Sequence, residues 1–248
     1  MHRFYLPPDE CKAGPLTLGG REAHHALHVL RVRRGDQVTI LDGAGRELSC
    51  AVENFDRDKV QLAILETKFI PALPCSITLL QAVPKGKIIE SIIQKATELG
   101  VARIVPLLTE RVVMDLDEKH AERKAEKWQL VAVEAIKQCG AAWLPRVESP
   151  MTPEEFLARR EAFELPLLAS LQPGAQHPRN CFQAFESEHG RKPQSACVWI
   201  GPEGDFTAAE VATIAAAGGL PITLGKLVLR VETAATYCLS ILNYELAT

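Results

Sequence analysis

Two glycine-bearing stretches carry the residues best spaced for chemistry. The first is Ile200-Gly201-Pro202-Glu203-Gly204-Asp205-Phe206, and the second runs from Leu224-Gly225 through Leu229-Arg230 to Glu232. Each follows a short apolar run and precedes a helical pattern. Backbone N–H groups at such a strand end are free, and glycine lets a ligand come close. In an open α/β sheet that is where a small molecule binds. The first stretch is not G-x-G-x-x-G, and no Lys-Ser/Thr pair follows its second glycine, so neither the dinucleotide fingerprint nor the P-loop is present. Glu203 and Asp205 would repel a polyphosphate but not a cation. Glycines after strands also serve as plain turns, and spacing alone leaves that reading open.

A second constellation lies near the N-terminus. Ala23–Gly35 contains His24, His25, His28, Arg31, Arg33 and Arg34 and no acid. Arginine grips phosphate bidentately, so the cluster suits contacts that position RNA. The alternative is the solvated face of a short helix. His24 and His28 are spaced i, i+4, but no nearby Asp, Glu or Cys completes a ligand set, and no metal is expected.

These residues need elements to hold them. Residues 1 to about 70 read as a small β-rich domain. Gln37–Leu41 alternates apolar and polar, Asp42-Gly43-Ala44-Gly45 is a turn signal, and Glu47–Val52 returns as the partner strand. Lys59–Leu65 is a further strand, and one short helical segment fits around Arg21–Val29. Phe69–Pro74, with two prolines, is the expected linker. From Cys75 the rhythm becomes strand and helix in alternation. Strands are expected at Ser76–Val83, Arg103–Leu107, Leu165–Ser170, Ala196–Ile200 and Pro221–Leu224. Helices are expected at Lys87–Leu99, with Ile88, Ile92, Ala96 and Leu99 on one face, and at Glu118–Cys139, Phe182–Glu188 and Val231–Leu246. Thr207 stands three residues before Glu210, a capping box for one more helix. The pattern predicts a mainly parallel sheet covered on both faces.

Composition sets limits on function. Apolar residues make up 47% of the 248, ample for a core, and the formal charge of −3 gives no global basic signature. RNA binding must then rest on a local patch. Seven cysteines, an odd number without C-x-x-C, argue against a disulfide framework or a zinc knuckle. Reduced thiols, an N-terminus with no apolar signal core and no membrane-length apolar run point to a soluble cytoplasmic protein.

Gly201-Pro202-Glu203-Gly204-Asp205-Phe206, followed by Leu224-Gly225-x-x-x-Leu229-Arg230-x-Glu232-Thr233-Ala234, resembles the C-terminal signature of the SPOUT methyltransferases. Within them it is most similar to the bacterial family that methylates N3 of a uridine in 16S ribosomal RNA. His24-His25-x-x-x-Val29-Leu30-Arg31 with Gly35-Asp36, Lys85-Gly86, Gln94–Val101, Glu134-Ala135 and Gln138-Cys139-Gly140 extend the resemblance over nearly the whole chain.

The resemblance implies an α/β knotted C-terminal domain, the SPOUT trefoil, over residues 75–248, and a small PUA-like β-barrel over residues 1–70. It implies S-adenosylmethionine as cofactor, 16S rRNA of the small ribosomal subunit as partner, and a homodimer. Cofactor contacts are assigned to Leu168, Ala169, Ile200, Gly201, Glu203, Gly204, Leu224, Gly225 and Leu229. RNA contacts are assigned to His24, His25, Arg31, Arg33 and Lys85. Arg230 and Glu232 are the catalytic candidates. The arginine would stabilise a uracil anion, while Glu232 either accepts the N3 proton or holds Arg230 in place. An Arg–Glu pair that merely caps the last helix is the alternative. The family usually has an arginine soon after its Gln-Cys/Ser-Gly stretch, and this chain has Ala141; Arg146 is the nearby substitute. A non-catalytic RNA-binding or ribosome-assembly protein is the rival reading.

Overall fold

The computed structural model describes residues 2–12, 14–112 and 118–246. Met1 and Thr248, the outer limits of the two expected domains, lie outside them. The chain divides into two compact units, Met1–Ala72 with Val133–Leu144, and Leu73–Ala132 with Pro145–Thr248.

In the first unit β1 (His2–Tyr5), β2 (Leu16–Leu18), β3 (Gln37–Leu41), β4 (Arg46–Phe55) and β5 (Val60–Phe69) form one sheet in the order β1-β3-β4-β5-β2. β1 runs parallel to β3, and the other pairs are antiparallel. Leu48, Cys50 and Val52 point inward at alternate positions of β4, as a pleated strand requires. The turn between β3 and β4 is built on a buried carboxylate. Asp42 Oδ1 accepts from the N–H groups of Ala44 and Arg46, both at 2.8 Å, and Oδ2 accepts from Arg46 Nε at 2.6 Å. These bonds offset the desolvation of the ion.

The sheet is a half-barrel where a PUA-like β-barrel was expected. Its ladder ends at β1 and β2, edge strands of four and three residues that do not pair with each other. A helical segment completes the core instead. α1 (Gly20–His24) continues as a π-helix over His25–Leu30, and Ala23 and Ala26 are fully buried among Phe4, Leu18, Ile40 and Leu62.

The sequence-based division assigns Val133–Leu144 to the C-terminal domain; the structure gathers it with the first unit. This segment holds the last turns of α3 (Glu118–Cys139) and the residues after them. Buried Lys137 pairs with Glu22 at 2.7 Å and Glu134 at 3.1 Å, and Arg3 Nη1 donates to the Gln138 carbonyl at 3.0 Å. An arginine on the last carbonyls of a helix satisfies acceptors that have no intrahelical partner.

In the second unit β6 (Ser76–Ala82), β7 (Arg103–Leu107), β8 (Arg146–Val147), β9 (Leu165–Ala169), β10 (Ser195–Ile200) and β11 (Leu220–Ile222) form a six-stranded sheet in the order β11-β9-β10-β6-β7-β8. Every pairing is parallel. Such strands are buried on both faces, which is why β7 and β10 are apolar after their first residue and why even Thr78 and Gln81 of β6 are buried. Leu80, Val105, Leu168, Trp199 and Phe206 build the core on one face. On α2 (Ile88–Glu98) Ile92 and Ala96 are buried as expected, joined by Ile89, Ile93 and Thr97, while Ile88 and Leu99, expected on the same stripe, are only half-buried. α7 (Val231–Leu246) packs on α2, and its Ala235, Cys238, Leu239 and Leu242 are buried.

α5 (Pro178–His189) precedes β10, and α6 (Ala208–Ala216) starts on the expected capping box, with Thr207 Oγ1 accepting from Glu210 N at 3.2 Å. The proline-bearing connection after α3 hides β8 and a short helix, α4 (Pro153–Ala158), which has its own capping box from Thr152 and Glu155.

The strand order places the site. The chain steps from β6 outward to β8 on one side, then crosses to β9, and β10 inserts between β9 and β6. The carboxyl ends of β9, β10 and β11 therefore lie side by side, where a reversal in strand order opens a crevice.

Candidate active site

The loops after β9, β10 and β11 enclose a cavity of about 460 Å3, within the range of roughly 300–1,000 Å3 usual for small-molecule sites. Each loop has a local reason for its path. A Cβ on Gly201 would lie 2.9 Å from Asp205 Oδ1 and 3.0 Å from Phe206 N, so the first turn closes only around glycine. Gly225 has open space beside it but a φ of +115°, which L side chains rarely adopt. Its N–H donates to Thr223 Oγ1 at 3.2 Å, folding the start of the third loop on itself.

Ala169, Ile200, Gly201, Glu203, Leu224, Gly225, Leu229, Arg230 and Glu232, all singled out from the sequence, line this cavity together. Two sequence-assigned residues do not. Leu168 is fully buried in the sheet core, because successive strand residues point to opposite faces. Gly204 turns away from the cavity; its carbonyl accepts from Arg111 Nη1, and a Cβ there would meet Arg111 Cδ at 3.3 Å. Sequence reasoning missed Ile88, Ser170, Leu171, Asp205, Leu227 and Val228 as lining residues. Asp205 stood in the motif itself, and the exposed apolar pair Leu227-Val228 was the signal within the third stretch.

Among the described residues no side chain pairs with the Arg230 guanidinium or the Glu232 carboxylate. Their backbones alone are engaged: the Arg230 carbonyl accepts from Ala234 N at 2.8 Å and that of Glu232 from Thr236 Oγ1 at 2.8 Å. The helix-capping Arg–Glu ion pair is therefore not formed. A cation and a carboxylate stand at the same rim, residue types able to hold negative charge and to accept a proton. Two buried thiols are no rivals for chemistry: burial pushes Cys197 and Cys238 up to about 12, far from thiolate formation.

The basic cluster belongs to the first unit. His24, His28, Arg31, Arg33 and Arg34 are exposed, while His25 is half-buried with its ring edge-on to Phe4. Arg31 ends the π-helix in a left-handed conformation, φ 55° and ψ 48°, uncommon for a non-glycine residue. Lys85, assigned to RNA as well, lies in the second unit, and its N–H donates to Glu203 Oε1 at 2.9 Å. Arg146, the expected stand-in for the missing arginine near Ala141, sits in β8. The guanidinium beside Gly140 is that of Arg3, whose Cζ would lie 2.9 Å from a Cβ there. Among the described residues no group of three or more His, Cys, Asp or Glu gathers to hold a metal, and no helix is long and apolar enough to cross a membrane.

Residues 71–243 match the family model of an RNA methyltransferase domain, and residues 18–65 that of an RNA methyltransferase PUA domain. The chain is 34% identical to the ribosomal RNA small subunit methyltransferase E of Bacillus subtilis, over 99% of this chain and 97% of that protein. The chain belongs to the ribosomal RNA small subunit methyltransferase E family. A Synechocystis member is 32% identical over 98% of this chain and 77% of its own length. Among solved structures, a Legionella pneumophila methyltransferase in complex with S-adenosylmethionine shares 31% identity at a TM-score of 0.86, covering 98% of this chain and 96% of that one. The family member from Neisseria gonorrhoeae, bound to S-adenosylmethionine, shares 27% identity at a TM-score of 0.84 over 98% and 97%.

Proposed function

We propose that this chain methylates N3 of a uridine in 16S ribosomal RNA of the small subunit, with S-adenosylmethionine held in the cavity at the ends of β9, β10 and β11. The observation that carries the reading is the pairing of an apolar-walled cavity with an unpartnered Arg230 and Glu232 at its rim. The donor set fits the cofactor. Ile200, Leu224 and Leu229 offer an apolar slot for adenine, free loop N–H and C=O groups offer hydrogen bonds, and Glu203, Asp205 and Glu232 suit a ligand with positive charge. The relatives' names and their bound cofactor support the same assignment.

When bound, the cofactor supplies an electrophilic methyl group on a sulfonium. The chain supplies the rest. The loops after β9, β10 and β11 orient the two reactants and exclude water, which lowers the entropic part of the barrier. Arg230 holds the negative charge that spreads onto uracil O2 and O4 as N3 loses its proton. It is always protonated, so it serves as an electrostatic partner and not as a base. Glu232 receives the proton. The basic cluster at His24, His25, Arg31 and Arg33 contacts RNA phosphates, and so does Lys85 in the second unit. A non-catalytic RNA-binding role leaves the free Arg230 and Glu232 without a use.

The reading extends to the knot and the dimer. Insertion of β10 between β9 and β6, with α7 leaving directly from the third loop, suits the threading of a trefoil. Tyr237 and Tyr244, exposed on α7, suit an interface with a second copy. The seven free thiols suit a reducing cytoplasm.

Methylation at N3 removes the proton used in base pairing, so reverse transcription stops at the product. Small subunits from a strain lacking this protein, incubated with the pure chain and cofactor, are expected to gain one such stop at a uridine. No new stop, with cofactor binding intact, would return the chain to the RNA-binding reading.

A further inference from the structure

The cavity is acidic: among the residues lining it, Glu203, Asp205 and Glu232 face a single cation, Arg230. The three carboxylates are not equally fixed. Glu203 is exposed and held through one oxygen by the Lys85 N–H, and Glu232 is long and unanchored. Asp205 is short and pinned at both oxygens. Oδ1 accepts from Phe206 N at 2.8 Å, and Oδ2 accepts from Leu171 N at 3.2 Å. Its own N–H donates to the Pro202 carbonyl at 2.9 Å. The carboxylate thus ties the loop after β10 to the loop after β9, and Leu171 and Asp205 both line the cavity. The residue sits at φ 61°, a left-handed conformation that favours glycine and that aspartate tolerates better than most side chains.

We propose that Asp205 makes the cavity discriminate the cationic sulfonium cofactor from its neutral thioether product, and so promotes exchange of spent for fresh cofactor. The proposal rests on the cavity being the cofactor site. In methyl transfer the C–S bond breaks with its electron pair left on sulfur, a C–N bond forms at uracil N3, and the N3 proton goes to a base. The adenosyl ligand therefore loses one positive charge and little of its shape. Ile200, Leu224 and Leu229 bind both forms alike and cannot separate them. A carboxylate held in place attracts more strongly the form that carries the extra positive charge, and it needs no reorganisation to do so. Specificity is this difference between two affinities.

Isothermal calorimetry on the full chain tests the proposal, with S-adenosylmethionine and S-adenosylhomocysteine as the two ligands. Wild type is expected to bind the sulfonium more tightly. Asn tolerates the left-handed backbone and keeps an acceptor while removing the charge. Asp205→Asn should therefore weaken S-adenosylmethionine on the order of 3- to 10-fold and change S-adenosylhomocysteine by less than about twofold. Asp205→Gly relieves φ and cuts both ties. Both ligands should weaken there, with the ratio of affinities falling to that of the Asn variant. Added salt should narrow the wild-type gap and leave the variants' ratios flat. Equal losses for the two ligands in both variants would reduce Asp205 to a loop tie, and an unchanged ratio would do the same; either overturns the proposal alone. A wild-type chain that binds neither ligand overturns the site reading and the proposal with it.

Discussion

Glu203 Oε1 accepts a hydrogen bond of 2.9 Å from the backbone N–H of Lys85, across 118 residues of sequence. The bond joins the loop after β10 to the loop after β6. It gives Glu203 a fixed task beside the cavity, and it makes the Lys85 backbone part of the cavity's support. Glu203→Ala should cost about 1 kcal/mol of cofactor affinity, a factor of roughly five in Kd, by freeing both loops. Glu203→Gln keeps an acceptor and should lose less. Calorimetry gives the affinities, and hydrogen exchange at the Lys85 amide reports the bond. Unchanged exchange in the Ala variant would show that the bond is not populated in solution.

Gly225 needs its backbone freedom more than its lack of bulk. Its φ is +115° and no atom stands within 4 Å of a Cβ placed there. A β-branched residue would force the loop elsewhere or strain it by about 1–3 kcal/mol. Gly225→Val is expected to abolish S-adenosylmethionine binding while the fold persists by circular dichroism. Wild-type calorimetric affinity in the folded variant would remove the third loop from the site.

Arg230 carries the mechanistic test. Arg230→Ala should lower single-turnover methylation by roughly 10²–10³, or about 2.7–4 kcal/mol, as loss of one charge-stabilising donor does. Arg230→Lys keeps the charge without the planar fork and should lose somewhat less. Cofactor affinity should change little in either. A near-wild-type rate in the Ala variant would make Arg230 a helix-end residue.

In the first unit, Arg31→Ala and Arg33→Ala should each weaken RNA binding and reduce the slope of log K against log salt by about 0.7–0.9, one phosphate contact apiece. Arg31→Gly relieves the left-handed φ of 55°. It should raise the unfolding temperature while still weakening RNA binding. A double Ala variant with the wild-type salt slope would show that the cluster is a solvated face.

Acid stability has a marker in Glu164. Its bidentate bonds from Arg191, at 2.6 and 2.9 Å, with help from the Gln194 N–H at 2.7 Å, hold its carboxyl at about 2, below the ordinary 4.5. A depressed pKa means that the folded state favours the ion. The pair's contribution is then full above about pH 4.5 and is lost as pH falls towards 2. Wild type and Glu164→Gln should differ in unfolding temperature near neutrality and converge across that window. A constant gap down to pH 2 would assign the difference to another cause.

Local pattern accounts for much of the architecture. β3 at Gln37–Leu41, β7 at Arg103–Leu107, α3 at Glu118–Cys139 and α7 at Val231–Leu246 coincide with the segments read from periodicity and glycine stops. Each draws its signal from neighbours within a few residues, as does the Thr207–Glu210 capping box. β1, β2 and β8 escaped because two to four residues hold too few periods to show one, and they become strands only when a partner supplies the ladder.

The motif residues of the cavity were legible because each loop follows its strand in sequence. Their mutual arrangement was not. The choice of Ala169 over Leu168 as the cavity wall depends on which face of β9 is covered, and only the assembled sheet decides that. The half-barrel depends on the edge strands β1 and β2 failing to meet. Lys137 and Arg3 draw the end of α3 into the first unit through contacts spanning 115 and 135 residues. The bond from Leu171 N–H to Asp205 likewise joins loops 34 residues apart. A sequence determines local periodicity, caps and turn chemistry, because those energies act between near neighbours. Which loops close on one another is set by strand order and long-range burial, and those arise only when the whole chain packs.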